Sequence, residues 1–257
     1  IGQCAARYMG NGDSIKYYAQ ELKENTYNLT RMNLIMRGIK PENIKVRCGD
    51  TLDQDWPWFD DNDPIRTYEA LYVDAVVSNP PYSQQWDNKD KETEARYANY
   101  GVAPKGKADY AFLLHDLYHV KPQGIMTIVL PHGVLFRGKE EETIRKNLIE
   151  KNNIDAIIGL PANIFFGTGI PTIVMVLRQK RERNDVLFID ASRLSEKVGK
   201  QNKLTASDIK RIADTYIERN PSDPTFARVV SREEIRRNEY NLNIPRYIDS
   251  AEKPEPW

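Results

Sequence analysis

The sequence predicts an α/β fold built on a mostly parallel sheet, and three observations carry that expectation. Apolar runs of strand length alternate with helical patterns along the chain. Segments such as "YVDAVVS" and "GIMTIVLP" are too continuously apolar for a sheet with one wet face. At 257 residues the chain is long enough for one large domain, or one domain with an appendage, and can bury a core without staples.

Taken in order, "IGQCAARYMG" reads as the tail of a helix ending near Gly10, with "NGD" as its turn. "IKYYAQ" is a short strand that runs out at Glu21. The helix "ENTYNLTRMNLIMRG" follows, with Leu29, Met32 and Met36 at i, i+3 and i+7 as its apolar face and Gly38 as its stop. "IKVR" is the next strand and enters the turn "CGDTL". A polar insertion from Asp53 to Glu69 carries Trp56, Trp58 and Phe59. The strand "YVDAVVS" then runs straight into Asn79-Pro80-Pro81-Tyr82.

The loop from Asp87 to Lys107 is long for a compact domain, which marks it as a functional lid or a mobile segment. After it, "ADYAFLLHDLYHV" is helical, "GIMTIVLP" a strand and "KEEETIRKNLIEKN" a helix. "IDAIIGLP" and "PTIVMVLRQ" are strands close enough to pair as an antiparallel hairpin, and "DVLFID" adds one more. Asp155 is the only charge between Ile154 and Leu177, yet Pro161, Asn163, Gly167, Gly169 and Pro171 interrupt that stretch. It therefore reads as strand–loop–strand and not as a membrane span. From Leu194 the chain turns polar, with helical patches such as "TASDIKRIADTYIER". The expected organisation is a main domain over 1–193 and a helical or extended arm over 194–257.

Lys plus Arg and Asp plus Glu number 37 each, so zero net charge gives no electrostatic case for unaided nucleic-acid binding. Cys4 and Cys48 stand singly and read as core residues, which argues against a disulfide framework or zinc ribbon. His115 and His119 share a helix face at i, i+4 and read as packing or surface residues, so metal ligands are not expected. No basic-then-apolar leader opens the chain, and a soluble, cytoplasmic protein without membrane attachment is expected.

Ligands of open α/β sheets bind outside the carboxyl ends of the strands, and three such ends here carry polar groups: Glu21, Asp50 and Asn79. A carboxylate at the end of the strand can accept from both hydroxyls of a ribose, and an Asp in a Gly-Asp turn can accept from a ring amine. Together the three follow the order of a nucleoside pocket. Asn79-Pro80-Pro81-Tyr82 is the sharper signal. The prolines lack N–H groups, so the turn offers carbonyl oxygens and the Asn79 amide oxygen without competing backbone donors. Tyr82 adds a flat face for a planar ring. The turn is thus a cradle for an amino group attached to a flat ring.

"SNPPYS" resembles the motif of amino-group methyltransferases that use S-adenosylmethionine. The wider chain resembles the modification (M) subunit of type I restriction–modification systems, the HsdM family of DNA adenine-N6 methyltransferases. "AQELKENTYNLTRMNLIMRGI", "GDTL", "ADYAFLLHDLYHVKPQGIMTIVLPHGVLF", "LPANIFFGTGIPTIVMVL" and "YNLNIPRYID" carry that resemblance in order, over nearly the whole chain.

The resemblance implies a Rossmann-like methyltransferase fold, with 1–193 as its catalytic domain. It also implies S-adenosylmethionine as cofactor, held by Glu21 at the ribose and by Asp50, Thr51 and Leu52 at the adenine. Asn79 and the Pro80 carbonyl would accept from the target amine, with Pro81 completing the turn and Tyr82 stacking on the flipped base. Phe165 or Phe166 would cover the other face of the ring. The implied partners are double-stranded DNA, a specificity (S) subunit, a second M subunit and a restriction (R) subunit.

The family's glycine-rich loop has no counterpart here, because Gly10-Asn11-Gly12 follows a helix and not a strand. A fragment lacking the first strand and that loop is expected, binding the cofactor weakly and inactive alone. Two other readings stand beside it: a methyltransferase acting on glutamine side chains of proteins, since the cradle takes any planar amino group, and a non-catalytic assembly module for a specificity subunit, which the polar arm from Leu194 to Trp257 suggests.

Overall fold

Six of the apolar runs ladder into one sheet. The computed structural model describes residues 8–55, 57–58, 69–165 and 168–249, and the chain divides into two compact units, Ile1–Glu69 and Ala70–Trp257.

In the first unit, β1 (Tyr17–Glu21) and β2 (Ile44–Cys48) pair in parallel, with Glu21 opposite Cys48, and α1 (Glu24–Met36) connects them. Parallel neighbours need such a crossover, so the strand–helix–strand order of the sequence survives intact. The expected apolar face of α1 does not become core. Leu29, Met32 and Met36 are 58%, 56% and 80% exposed, because periodicity marks a face but not the surface that covers it. Cys48 is also exposed, against the expectation of a core residue, since it closes β2 at the sheet's rim. Cys4 lies outside the described residues, as do Trp56 and Phe59 of the insertion. Two short strands there, β3 (Pro57–Trp58) and β4 (Glu69–Ala70), pair with each other.

The second unit holds β5 (Val73–Ser78), α2 (Asp109–Tyr118), β6 (Val120–Pro131), α3 (Glu140–Glu150), β7 (Ile154–Gly159), β8 (Thr172–Leu177) and β9 (Val186–Asp190). Beyond them come β10 (Glu196–Val198), β11 (Gln201–Lys203), α4 (Ala206–Glu218), β12 (Ala227–Val230) and α5 (Arg232–Arg237). The sheet order is β12-β9-β7-β8-β6-β5. β5 pairs with β6 and β7 with β9 in parallel, while β8 runs antiparallel to both of its neighbours and β12 antiparallel to β9. β7 and β8 thus form the antiparallel neighbours the sequence suggested.

The core lies on both faces of this sheet. Every residue of β7 is buried. Ala156, Ile158, Leu187 and Ile189 form a cluster on which Ile212 and Tyr216 of α4 pack. The lone charge in the β7–β8 stretch is explained by α4: Asp155 accepts from Tyr216 Oη at 2.6 Å and pairs with Arg181 and Arg219 at 3.0 Å each. Buried carboxylates persist only when paired and hydrogen-bonded in this way. The polar segment after Leu194 supplies β12 to the sheet and buries Phe226, Ile235, Leu242 and Ile248.

Among the described residues no helix is long and apolar enough to cross a membrane. The Asp87–Lys107 loop is tied down and not slack. Trp86 Nε1 donates to the Pro104 carbonyl at 3.1 Å and Asn88 Nδ2 to that of Ala103 at 3.1 Å. Fully buried Tyr97 meets Trp86 edge-on at 5.6 Å, and Asn147 Nδ2 donates to the Tyr100 carbonyl at 2.6 Å.

Candidate active site

β5, β6, β7 and β9 all point the same way, so their carboxyl ends share one edge of the sheet. That edge carries Asn79-Pro80-Pro81-Tyr82 after β5, His132 after β6, the Leu160–Pro171 loop after β7 and the chain beyond Asp190 after β9. In the turn, Pro80 is buried, Tyr82 half-buried and Asn79 exposed. Pro80 anchors the backbone, Pro81 is exposed and the amide is offered outward. Tyr82 Oη donates to Asn79 Oδ1 at 2.9 Å, which orients that oxygen while leaving its second lone pair for another donor. Burial raises the Tyr82 hydroxyl's pKa, so it remains a donor near neutral pH.

Groups that sequence reasoning did not single out hold this turn in place. Ser83 sits at φ +51°, a left-handed conformation costly for a residue with a Cβ. Its N–H donates to Asp109 Oδ1 at 2.7 Å. Asp109 is fully buried at the start of α2, and its other oxygen accepts from Arg137 Nη1 at 3.0 Å. Arg137 also reaches Glu141 at 3.3 Å, and burial pushes that carboxyl upward against the pull of Arg137. Asp116, two turns further along the same face of α2, takes a hydrogen bond from the Ser78 hydroxyl beside Asn79. Its Oδ2 is buried without a hydrogen-bond partner. Burial raises its pKa to about 7. The only local signal was the resemblance of the "ADYAF" and "LPHGVLF" stretches, which carries no chemistry of its own.

His132 is half-buried, edge-on to Phe136 at 5.5 Å. Burial lowers its pKa and the Asp190 carboxylate opposes that shift. His115 and His119 are both buried, with His115 Nδ1 at 2.9 Å from Arg96 and His119 Nδ1 at 2.6 Å from the Leu71 carbonyl. Phe165 is half-buried and packs against the core cluster beside β7; Phe166 lies outside the described residues.

In the first unit, Glu21 and Asp50 stand together at the carboxyl end of the β1–β2 pair. Glu21 Oε1 accepts from Lys23 N at 3.3 Å, and the Gly49 N–H donates to the Glu21 carbonyl at 3.0 Å. Asp50 Oδ1 accepts from Leu52 N at 2.9 Å and shapes the turn through Thr51. Leu52 is buried, while Asp50 and Thr51 are half-exposed. A Cβ on Gly49 would come within 3.0 Å of Gln54 Oε1 and 3.1 Å of Gln20 Nε2, so the tight turn suits glycine.

Residues 4–255 match the N-6 DNA Methylase family. The chain belongs to that family. The type I restriction enzyme MpnII methylase subunit of Mycoplasma pneumoniae is 37% identical over 94% of this chain and 45% of its own length. The MjaVIII methylase subunit of Methanocaldococcus jannaschii is 36% identical over 97% and 44%. A crystal structure of the type I restriction-modification system methyltransferase subunit from Streptococcus thermophilus superposes with a TM-score of 0.89 at 48% identity, covering 96% of this chain and 51% of that one. The chain thus spans about half the length of the methylase relatives it matches. The EcoKI M protein, 20% identical with a TM-score of 0.68, shares the fold.

Proposed function

We propose that this methylase-family chain is the catalytic part of a DNA adenine-N6 methyltransferase. The observation that carries the reading is the Asn79-Pro80-Pro81-Tyr82 turn at the carboxyl end of β5, with its amide exposed and its prolines buried or donor-free. Asn79 Oδ1 and the Pro80 carbonyl would accept both N–H bonds of the target amine. Those two acceptors favour a pyramidal nitrogen whose lone pair is no longer spread into the ring, and they stabilise the positive charge that builds on it. Tyr82 would stack on the base once it leaves the helix, and Phe165 or Phe166 would face it from the other side.

S-adenosylmethionine, when bound, supplies an electrophilic methyl on a positively charged sulfur. Glu21 fits its ribose hydroxyls, because one carboxylate oxygen is committed only to a long bond from Lys23. The Asp50-Thr51-Leu52 turn fits its adenine, with Leu52 as the apolar wall and Asp50 as acceptor. Holding amine and methyl in line then supplies much of the rate.

The relatives are named as methylase subunits of type I restriction enzymes, which supports double-stranded DNA as substrate. By the same reading, a specificity subunit chooses the sequence, and a second M subunit and a restriction subunit complete the assembly in the cytoplasm. Zero net charge suits a subunit that shares its DNA grip with partners.

The test is to co-express the chain with a specificity subunit, incubate it with unmethylated DNA and S-adenosylmethionine, and analyse the nucleosides by mass spectrometry. N6-methyldeoxyadenosine that disappears in Asn79→Ala supports the reading. Methyl groups found on protein glutamine, or assembly with no methyl transfer at all, would overturn it.

A further inference from the structure

The carboxyl edge of the main sheet carries a feature that the methyl-transfer chemistry leaves unused. Beyond Asp190, β10 and β11 pair as a hairpin with Glu196 opposite Lys203 and Val198 opposite Gln201. Gly199 supplies the positive φ of its turn, at +63°. The hairpin is fastened to the loop after β7: Asn202 N donates to the Asn163 carbonyl at 3.0 Å and Asn202 Nδ2 to that of Ala162 at 2.8 Å. Between hairpin and loop lies a cleft of about 420 Å³, lined by Asn163, Phe165, Thr168, Val198, Lys200 and Gln201.

Charge is segregated there. Between Arg193 and Lys203 stand four cations (Arg193, Lys197, Lys200, Lys203) and one acid (Glu196), in a chain whose total charge is zero. All four cations are exposed, and among the described residues none forms an ion pair. Several arginines elsewhere in this unit are matched instead: Arg219 with Asp185 at 2.7 Å, Arg228 with Glu234 at 2.7 Å, Arg236 with Glu150 at 2.6 Å. Like charges gathered on a short hairpin repel one another unless an anion neutralises them. Val198, 53% exposed among the lysines, adds an apolar contact at the tip.

We propose that the Glu196–Lys203 hairpin is a clamp for the phosphate backbone of double-stranded DNA, placed beside the aromatic loop after β7. This rests on the reading of DNA as the substrate. A base entering the cradle at Asn79 approaches the same edge, and the flanking duplex needs a grip that carries no sequence information. Lysines supply that grip as hydrated point charges, whereas base reading calls for planar, bidentate groups.

Fluorescence anisotropy of the full chain co-expressed with a specificity subunit, with a fluorescein-labelled duplex and repeated across a salt series, tests the clamp. The variant is Lys197→Gln, Lys200→Gln, Lys203→Gln. The charge-matched control is Lys146→Gln, Lys151→Gln, Lys180→Gln, which lies on α3, at its end and beyond β8. Each lost phosphate contact lowers the slope of log affinity against log salt by about 0.9, so the hairpin variant should lose roughly two to three from the slope and tenfold or more in affinity. The control should keep both. A hairpin variant with unchanged slope, or a control that loses as much, overturns the clamp while leaving DNA as the substrate. A wild-type complex that binds no duplex overturns the clamp and the DNA reading together.

Discussion

Replacing Asp109 tests how the Asn79–Tyr82 turn is held. Its carboxylate is fully buried and accepts from Ser83 N at 2.7 Å and from Arg137 Nη1 at 3.0 Å. Removing one partner of a buried charge pair costs about 3–5 kcal/mol. Arg137 is 22% exposed and keeps Glu141 at 3.3 Å, which places Asp109→Ala at the lower end, about 3 kcal/mol. Asp109→Asn keeps an oxygen for Ser83 and loses only the charge, for about 1–2 kcal/mol.

The left-handed Ser83 adds a cross-check. Ser83→Gly removes roughly 1 kcal/mol of backbone strain and stabilises the wild type by that amount. If Asp109 is what holds Ser83 in that conformation, the turn relaxes in Asp109→Ala and the glycine no longer helps. Urea denaturation of the four proteins in this cycle measures the coupling. An undiminished gain from glycine in the Asp109→Ala background would show that the turn keeps its shape unaided, and the reasoning would be wrong. Equal losses in the Asn and Ala variants would equally rule out a geometric role.

Other outcomes follow from the same coordinates. Asp116 has a folded pKa raised to about 7 from 3.8, so the folded protein holds a proton between about pH 4 and 7 that the unfolded chain releases, and stability falls as pH rises through that window. Asp116→Asn should therefore stabilise the protein at pH 8, with a ceiling of roughly 4 kcal/mol, and give no gain at pH 4; equal effects at both pH values in urea melts would refute this. Arg236 and Tyr240 hold Glu150 down at about 2, so that contribution is present above the usual glutamate range and is lost as pH falls toward 2. Glu150→Gln should cost about 1 kcal/mol at pH 7 and nothing near pH 2, by the same melts. Tyr82→Phe keeps the ring and removes the bond to Asn79 Oδ1, so base binding followed by 2-aminopurine fluorescence should survive it, while Tyr82→Ala should lose about 1–3 kcal/mol of stacking.

What could be read from the sequence was local. The apolar run at Ile154–Gly159 is a strand because its residues suit a buried pleat, whereas the run at Val73–Ser78 forms the edge strand and stays partly exposed; Asn79-Pro80-Pro81-Tyr82 ends that strand because proline fixes φ and withholds a donor. The placement of Glu21 and Asp50 at one end of the β1–β2 pair followed from two consecutive parallel strands whose carboxyl ends must coincide. Contacts between distant residues were not legible. Asp155 looked like a stray charge until α4 brought Tyr216 and Arg219 to it. Cys48 and the Leu29–Met36 face were expected inside, yet burial depends on what packs against a residue, and both are exposed. Asp109 lies 26 residues from Ser83, and no local pattern links a helix's first residue to a left-handed serine. Spacing along the chain determined which elements form and where the cradle sits. Only the packing of the second unit decided which buried charges hold that cradle still, because a carboxylate's partners are chosen in space and not along the sequence.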